Sequence, residues 1–224
     1  MIIEKIKELL EITDLEWGRY TFSSDPLNRR IKEAQRDEII LKANECGRQE
    51  AKKLVDKYGV QPIWQYVRIF KVNIIREDSY GSSNYIMFAK FNYPDNITVF
   101  MRNVMQVLTF IREQNLKSIL KNVDVESLLI AHELFHYCEA HNPDVYTKTL
   151  KIEIWRFGPF HCKSGLVAPG EIAAMAFARE LLGLSYNPNI FNVLMLYPHD
   201  ALKTAILLDN IKKFKKVATQ ECLK

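Results

Sequence analysis

Two histidines and a glutamate stand at a spacing that suits metal chemistry. His132, Glu133 and His136 form an HExxH sequence. On a helix, residues four apart lie on one face about one turn from each other, so both imidazoles can reach one metal ion. Glu133 then lies beside that ion as a proton acceptor. The motif therefore predicts a zinc hydrolase in which His132 and His136 bind the metal and Glu133 is the general base.

The segment around the motif has the pattern of a helix. Asp124 stands just before an apolar run and predicts an N-cap. Stepping by three and four from Val125 leads through Leu128 to the two histidines, which continue the apolar stripe. We therefore predict a helix over about residues 125–139 whose histidines line the wall of a cleft.

A catalytic zinc ion needs a third protein ligand and one coordination position left for water. Glu139 lies about 10 Å along the helix from His132, too far for both to share one ion, so we expect it to orient a ligand or to face solvent. The metzincin pattern is excluded, because Glu139 stands where that pattern needs Gly. His141 and the pair His161–Cys162 stay open as candidates, since both residue types bind zinc.

Glu171 is the strongest candidate for the third ligand. It opens a segment bracketed by Pro169 and Gly183, which predicts a helix of about fourteen residues. It shares a face with Ala174 and Ala178, small residues that allow close helix packing. A carboxylate in such a stripe needs a partner, because burying an unpaired charge is costly and a metal ion compensates it. The alternative is that Glu171 only complements the dipole of its own helix.

The two motif helices together resemble the ImmA/IrrE family of zinc peptidases. In that family an AHElgH helix is followed by an E..AN.FA..LL helix. This chain has AHELFH at residues 131–136 and EIAAMAFARELL at residues 171–182. The resemblance covers roughly residues 51–184 and is specific in the two motifs.

The resemblance implies a gluzincin-like zinc site and a peptidase activity. His132, His136 and Glu171 would be the zinc ligands, and Glu133 the catalytic base. The substrate would be a protein or peptide, such as a regulatory protein cleaved at a limited site. Met175 stands where the family usually has Asn.

The rest of the chain predicts the elements that position this site. Asp25-Pro26 predicts the start of a long helix that continues to about Val55. Val72 to Ile75, Tyr85 to Phe91 and Ile97 to Met101 read as strands, the last two joined by a turn at residues 92–96. A helix is expected over about residues 103–120, and two more after Pro188 and Pro198.

These elements predict an α+β, zincin-like fold that is predominantly helical with a small antiparallel three-stranded sheet. We expect residues 1–60 to form a helical N-terminal region, packed on or extending from the core. Residues 61–224 would form the zincin-like metallopeptidase domain. The 224 residues are 48% hydrophobic, enough for one substantial core.

A long loop is predicted between the two motif helices, from about residue 141 to 168. Its aromatic residues, among them Trp155 and Phe157, are expected to form a lid over the core, with lining of a substrate cleft as the alternative. A donor for a developing oxyanion is also needed. Four side chains are candidates, and the sequence does not choose among them: Tyr146, His161, Tyr197 and His199.

Charge and cysteine usage limit the partners and the compartment. The chain has 31 basic and 27 acidic residues, a net charge of +4 that is too small and dispersed to indicate nucleic-acid binding. The dense basic run at residues 212–216 is expected to be a solvated helix face. Cys46, Cys138, Cys162 and Cys222 show no paired spacing, which predicts thiols in the cytoplasm. No signal peptide or membrane span is expected.

Two other functions stay open. In one, the site binds zinc but the chain is a regulatory or protein-binding module with little or no peptidase activity. In the other, no metal binds and the HExxH pattern is accidental in a structural protein.

Overall fold

The structure, a computed structural model, describes residues 2–81, 86–121, 124–158 and 160–221, with side chains as far as residue 214. The helices are α1 (Ile2–Leu10), α2 (Asp14–Ser23), α3 (Glu33–Tyr58), α4 (Ile63–Ile69), α5 (Met101–Glu113), α6 (Val125–His141), α7 (Tyr146–Thr149), α8 (Ala168–Leu181), α9 (Ile190–Leu196) and α10 (Ala201–Glu221). The strands are β1 (Asn73–Glu77), β2 (Ala89–Asn92), β3 (Asn96–Phe100), β4 (Ile152–Phe157) and β5 (Phe160–Ser164). The chain is α+β and mostly helical, as predicted.

The first three strands form a mixed sheet. β3 lies in the middle, antiparallel to β2 and parallel to β1. The hairpin between β2 and β3 is confirmed, although Tyr85, the first residue predicted for that strand, lies outside the described residues. The prediction of an antiparallel three-stranded sheet is wrong. Successive strands do reverse direction, but β1 pairs with β3 instead of β2, and strands one and three then run the same way.

The N-terminal region is not one long helix. After α1 and α2 comes a short 3-10 turn at Asn28–Arg30, and α3 begins only at Glu33, so the predicted start at Asp25-Pro26 is wrong. Asp25 caps a different helix. Its Oδ2 accepts hydrogen bonds from the backbone N–H groups of Val167 and Ala168, at 2.8 and 2.9 Å, where α8 begins. This remote cap fixes the start of the helix that carries Glu171.

Helix α8 packs against both α3 and α6. Where α3 crosses α8, a Cβ added to Gly47 would lie 2.1 Å from the backbone oxygen of Ala173. Only a residue without a side chain allows this approach. Residues from the first part of the chain, among them Ile6 and Trp17, belong to the same buried cluster as Phe135 of α6.

The segment between α6 and α8 has structure of its own. It contains α7 and a hairpin of β4 and β5. Trp155, Phe157 and Phe160 are 52%, 80% and 67% exposed, so the predicted lid over the core is wrong for these three rings. Tyr146, from the same segment, does pack against the core. Phe157 pairs with Phe160 across the hairpin, and Trp155 lies two residues before Phe157, so their rings share one face. In the described chain that face is not packed against the core.

Three further points concern the helices. α5 ends at Glu113, earlier than predicted, and a 3-10 turn at Leu116–Ser118 follows. In the basic run, Lys212 forms an ion pair with Glu8 at 2.8 Å, while the side chains of Lys215 and Lys216 lie outside the described residues. Across the residues that the structure describes, every helix is too short or too polar to span a membrane.

Gly47→Ala tests the contact between α3 and α8. Helix propensity alone would stabilise the protein by about 1 kcal/mol. The steric conflict with Ala173 reverses the sign, and we expect a loss of about 1–3 kcal/mol in the free energy of unfolding, measured by urea denaturation. Gly165→Ala is the control, because its Cβ would meet only the flexible end of Lys151. A stabilised Gly47→Ala protein would contradict the packing described.

Asp25→Ala tests the remote cap. Loss of the carboxylate leaves buried N–H groups at the start of α8 without an acceptor, so we expect unfolding to become easier by about 1–3 kcal/mol. Asp25→Asn keeps one acceptor oxygen and should lose less. Equal stability of the wild type and Asp25→Ala in urea would show that the cap does not hold α8.

Candidate metal centre

Helix α6 presents the two histidines of the motif. Asp124 caps it as predicted, accepting a hydrogen bond from the N–H of Ser127 at 3.2 Å. The helix is buried on most of its surface, and the side chains of His132 and His136 are only 13% and 19% exposed. Their Nε2 atoms lie 3.3 Å apart. The spacing of four residues thus aims both ring nitrogens at one point, as the sequence predicts.

Helix α8 adds a carboxylate to that point. Glu171 lies in its first turn, with Oε2 at 3.3 Å from Nε2 of His132 and Oε1 at 3.6 Å from Nε2 of His136. The Glu171 side chain is 46% exposed, so the cluster opens to solvent on this side. His132, His136 and Glu171 could together hold one metal ion, each with one ligand atom.

Electrostatics couple the three side chains. Burial raises the pKa of Glu171, but the hydrogen bond from His132 and the charges of both histidines outweigh it and lower the pKa to about 2. Burial lowers the pKa of His132, but the hydrogen bond with Glu171 and the charges of Glu171 and Glu133 raise it by more. The net effect is a pKa above the usual value for histidine. The carboxylate is therefore ionised at neutral pH, and the surrounding field favours a cation.

A second carboxylate supports His136 from behind. Oε2 of Glu139 lies 3.4 Å from Nδ1 of His136, and Oε1 of Glu139 accepts a hydrogen bond from Thr147 Oγ1 at 2.5 Å. Contacts of this kind fix the orientation of a metal-binding imidazole. Of the two alternatives predicted for Glu139, contact with a candidate ligand and exposure to solvent, the structure shows the contact. Nδ1 of His132 is buried and has no comparable partner in the described chain.

Glu133 is held by the edge of the sheet. It is 8% exposed, and its Oε2 accepts a hydrogen bond from the backbone N–H of Phe91 in β2 at 2.7 Å. The other oxygen, Oε1, has no hydrogen bond from the described residues. Because β2 packs against α6, the sheet fixes the orientation of this carboxylate.

The metal-ligand cluster and Glu133 lie in one cleft of about 680 Å³. His132, Glu133, His136 and Glu171 line it together, with β2 forming another part of the wall. Lys148 and Asn192 also line the cleft, and neither was predicted as a site residue. They reach it from α7 and α9, and no local motif marks a residue that enters a site through tertiary packing.

The other sequence candidates lie elsewhere. His161 and Cys162 are on β5 and face their partners in β4, and His141 contacts the ring of Tyr137. None of the three belongs to the metal-ligand cluster found among the described residues. The four candidate oxyanion donors are also absent from the lining of the cleft: Tyr146, His161, Tyr197 and His199.

No similarity to a known protein adds to what this geometry indicates about function. No model of a known protein family, no curated protein and no solved structure matches the chain. The resemblance to ImmA/IrrE peptidases therefore stays a prediction from the two motifs.

Metal analysis tests the cluster. We expect the purified protein to bind about one zinc ion per chain, and His132→Ala and Glu171→Ala to weaken zinc affinity by more than about a hundredfold, because each removes a ligand. Elemental analysis after dialysis measures the content. His161→Ala is the control. Full zinc in Glu171→Ala, together with loss in His161→Ala or Cys162→Ala, would place the third ligand on the hairpin instead.

Proposed function

We propose that this protein is a zinc-dependent metallopeptidase that hydrolyses a peptide bond in a protein or peptide substrate. One observation carries the proposal. Glu171 and the two histidines converge on a single point, and Glu133 lines the same solvent-accessible cleft. A hydrolytic zinc site of this kind needs two imidazoles and a carboxylate as ligands. It also needs a second carboxylate beside the metal, one that does not bind it and can accept a proton.

The separation of the two imidazole nitrogens and the donor set support zinc as the metal. Tetrahedral ligands at zinc bond lengths lie about 3.3–3.4 Å from each other. Octahedral ligands of Mg²⁺ lie closer, at about 2.8–3.0 Å. The two imidazole Nε2 atoms here are 3.3 Å apart, and each lies within 3.6 Å of a different oxygen of Glu171, Oε2 for His132 and Oε1 for His136. The nitrogen-rich donor set favours zinc over Mg²⁺ and Ca²⁺ as well.

The chemistry divides between the metal and the chain. Zinc held at this point would activate a water molecule and polarise the substrate carbonyl. Oε1 of Glu133 accepts a proton from the attacking water, and Glu133 then donates that proton to the leaving amine. The hydrogen bond from Phe91 engages Oε2, so Oε1 is the oxygen that is left to take part in proton transfer. Glu139 and Thr147 hold the ring of His136 in place during this transfer.

The outer edge of β2 supports a peptide as the substrate. The oxygen of Phe88 points towards β3, where it accepts a hydrogen bond from Phe100, whereas the N–H of Phe91 points away from β3 to Glu133. Alternation along the strand turns the backbone groups of Ala89 to the same side as those of Phe91. An extended peptide can add to this edge through main-chain hydrogen bonds and lie beside Glu133.

The proposed setting is the cytoplasm. The three cysteines in the described chain, Cys46, Cys138 and Cys162, are free thiols, which suits a reducing compartment. Cys222 lies outside the described residues. The proposed substrate is accordingly a cytoplasmic protein or peptide, with a regulatory protein as the expectation from the family resemblance.

A second candidate function is a zinc-containing protein-binding module without peptidase activity. The exposed aromatic face of the β4–β5 hairpin favours it, because exposed Trp and Phe residues are common in binding surfaces. The two functions differ in what Glu133 does. In a binding module its carboxylate would have no role in turnover.

Glu133→Gln separates the two functions. The variant should keep its zinc, because Glu133 is not a ligand, and lose turnover by about a hundredfold or more, the usual contribution of a positioned general base. Zinc content and cleavage of proteins in a cell extract are measured together. Glu126→Gln makes the same change on the same helix, at a residue paired with Arg76, and should retain activity.

Two results would contradict the peptidase proposal. One is cleavage by zinc-loaded Glu133→Gln at the wild-type rate. The other is a wild type that cleaves no protein in the extract, although the wild type and Glu133→Gln bind the same partner protein equally well. The second result would support the binding module.

A further inference from the structure

A second cavity, of about 430 Å³, adjoins the metal cluster on the side of α8. Glu171, Met175, Asn192 and Met195 line both this cavity and the cleft at the metal cluster, so the two spaces lie next to each other. The volume falls within the range of about 300–1,000 Å³ that is typical of small-molecule sites. A peptide in the cleft can therefore place one of its side chains here.

The side chains that line the cavity are mainly apolar. Met175 of α8 and Met195 of α9 line it, together with other apolar residues that include Ile86, Phe88 and Leu207. Methionine side chains are flexible and polarizable, so they adapt to large apolar groups of different shape. Met175 presents a thioether, which lacks the strong hydrogen-bonding groups of an amide, at the junction between the cavity and the cleft.

The charged and amide groups in the cavity are already engaged. Asp25 is 6% exposed, and its two oxygens accept three backbone N–H hydrogen bonds, one from Leu27 and two at the start of α8. The amide of Asn192 donates to Asn189, which donates in turn to Asn187. No Lys or Arg of the described chain lines this cavity. An acidic side chain would therefore meet the Asp25 carboxylate with no Lys or Arg to compensate it. A basic side chain would find Asp25 engaged by backbone N–H groups and Glu171 engaged by the two histidines.

We infer that this cavity is the specificity pocket of the site, and that it selects substrates with a large neutral apolar side chain, such as Leu, Met or Phe, next to the scissile bond. The inference rests on the proposed peptidase function for the meaning of the scissile bond. The preference for an apolar ligand follows from the walls alone and is testable without catalysis.

The first experiment measures binding in the full chain by NMR, with ¹³C-labelled methionine methyl groups. N-acetyl-leucinamide is titrated against the aspartate and lysine analogues. We expect saturable shifts of the Met175 and Met195 methyl signals with the leucine probe, and binding at least about tenfold weaker for the charged probes. Met105 is the internal control, because it lies on α5 and is 55% exposed. Equal binding of the three probes, or no saturable shift, would overturn the inference.

The second experiment identifies the residues next to each cleaved bond in a mixture of peptides. Cleavage that also occurs with Glu133→Gln is subtracted as background. We expect Leu, Met or Phe to be enriched next to the cut. Met175→Gln and Met195→Gln, close in size but polar, should each reduce that preference about tenfold, because a buried amide is left without partners. Met105→Gln should leave the profile unchanged. Cleavage without apolar enrichment would overturn the pocket and leave the peptidase proposal intact.

The two proposals can also fail in the opposite order. If the leucine probe shifts Met175 and Met195 selectively but zinc-loaded wild type cleaves no peptide, the peptidase proposal fails. The cavity then stands as an apolar binding site.

Discussion

The position of Glu171 depends on how closely α8 approaches its two neighbouring helices. Against α3, the backbones touch where Gly47 meets Ala173. Against α6, a Cβ on Gly170 would already contact Glu139 at 3.4 Å. Asp25 fixes the start of α8 from a distant part of the chain. A shift of about 1 Å in this helix would separate the carboxylate from the histidines, and positioning at this scale decides whether a site works.

The parts of the site that the sequence predicts are those with a local physical signature. Asp124 and the apolar stripe determine α6, and a spacing of four residues on a helix necessarily places His132 and His136 on one face. Glu171 could be selected because a carboxylate in an apolar helix face needs a partner. The turn between β2 and β3 was predictable for the same reason, since turn residues act locally.

The features that were missed depend on contacts between distant segments. Asp25 is a residue type typical of helix caps, but the helix it caps begins 143 residues later in the chain. The reversal between β2 and β3 followed from the turn that joins them, whereas the position of β1 beside β3 depends on packing of the whole sheet. Trp155 was expected under a loop, because nothing in its own segment shows that the hairpin extends away from the core. Asn192 enters the cleft from α9, and no local pattern marks it.

The central claim is that two imidazoles and one carboxylate hold a single zinc ion. X-ray absorption at the zinc edge of the zinc-loaded protein tests it most directly, because zinc–sulfur and zinc–nitrogen distances differ clearly. The account predicts nitrogen and oxygen neighbours at about 2.0–2.2 Å, with the multiple scattering of two imidazole rings and no sulfur. A sulfur neighbour at about 2.3 Å, or the signal of fewer than two imidazoles, would contradict it.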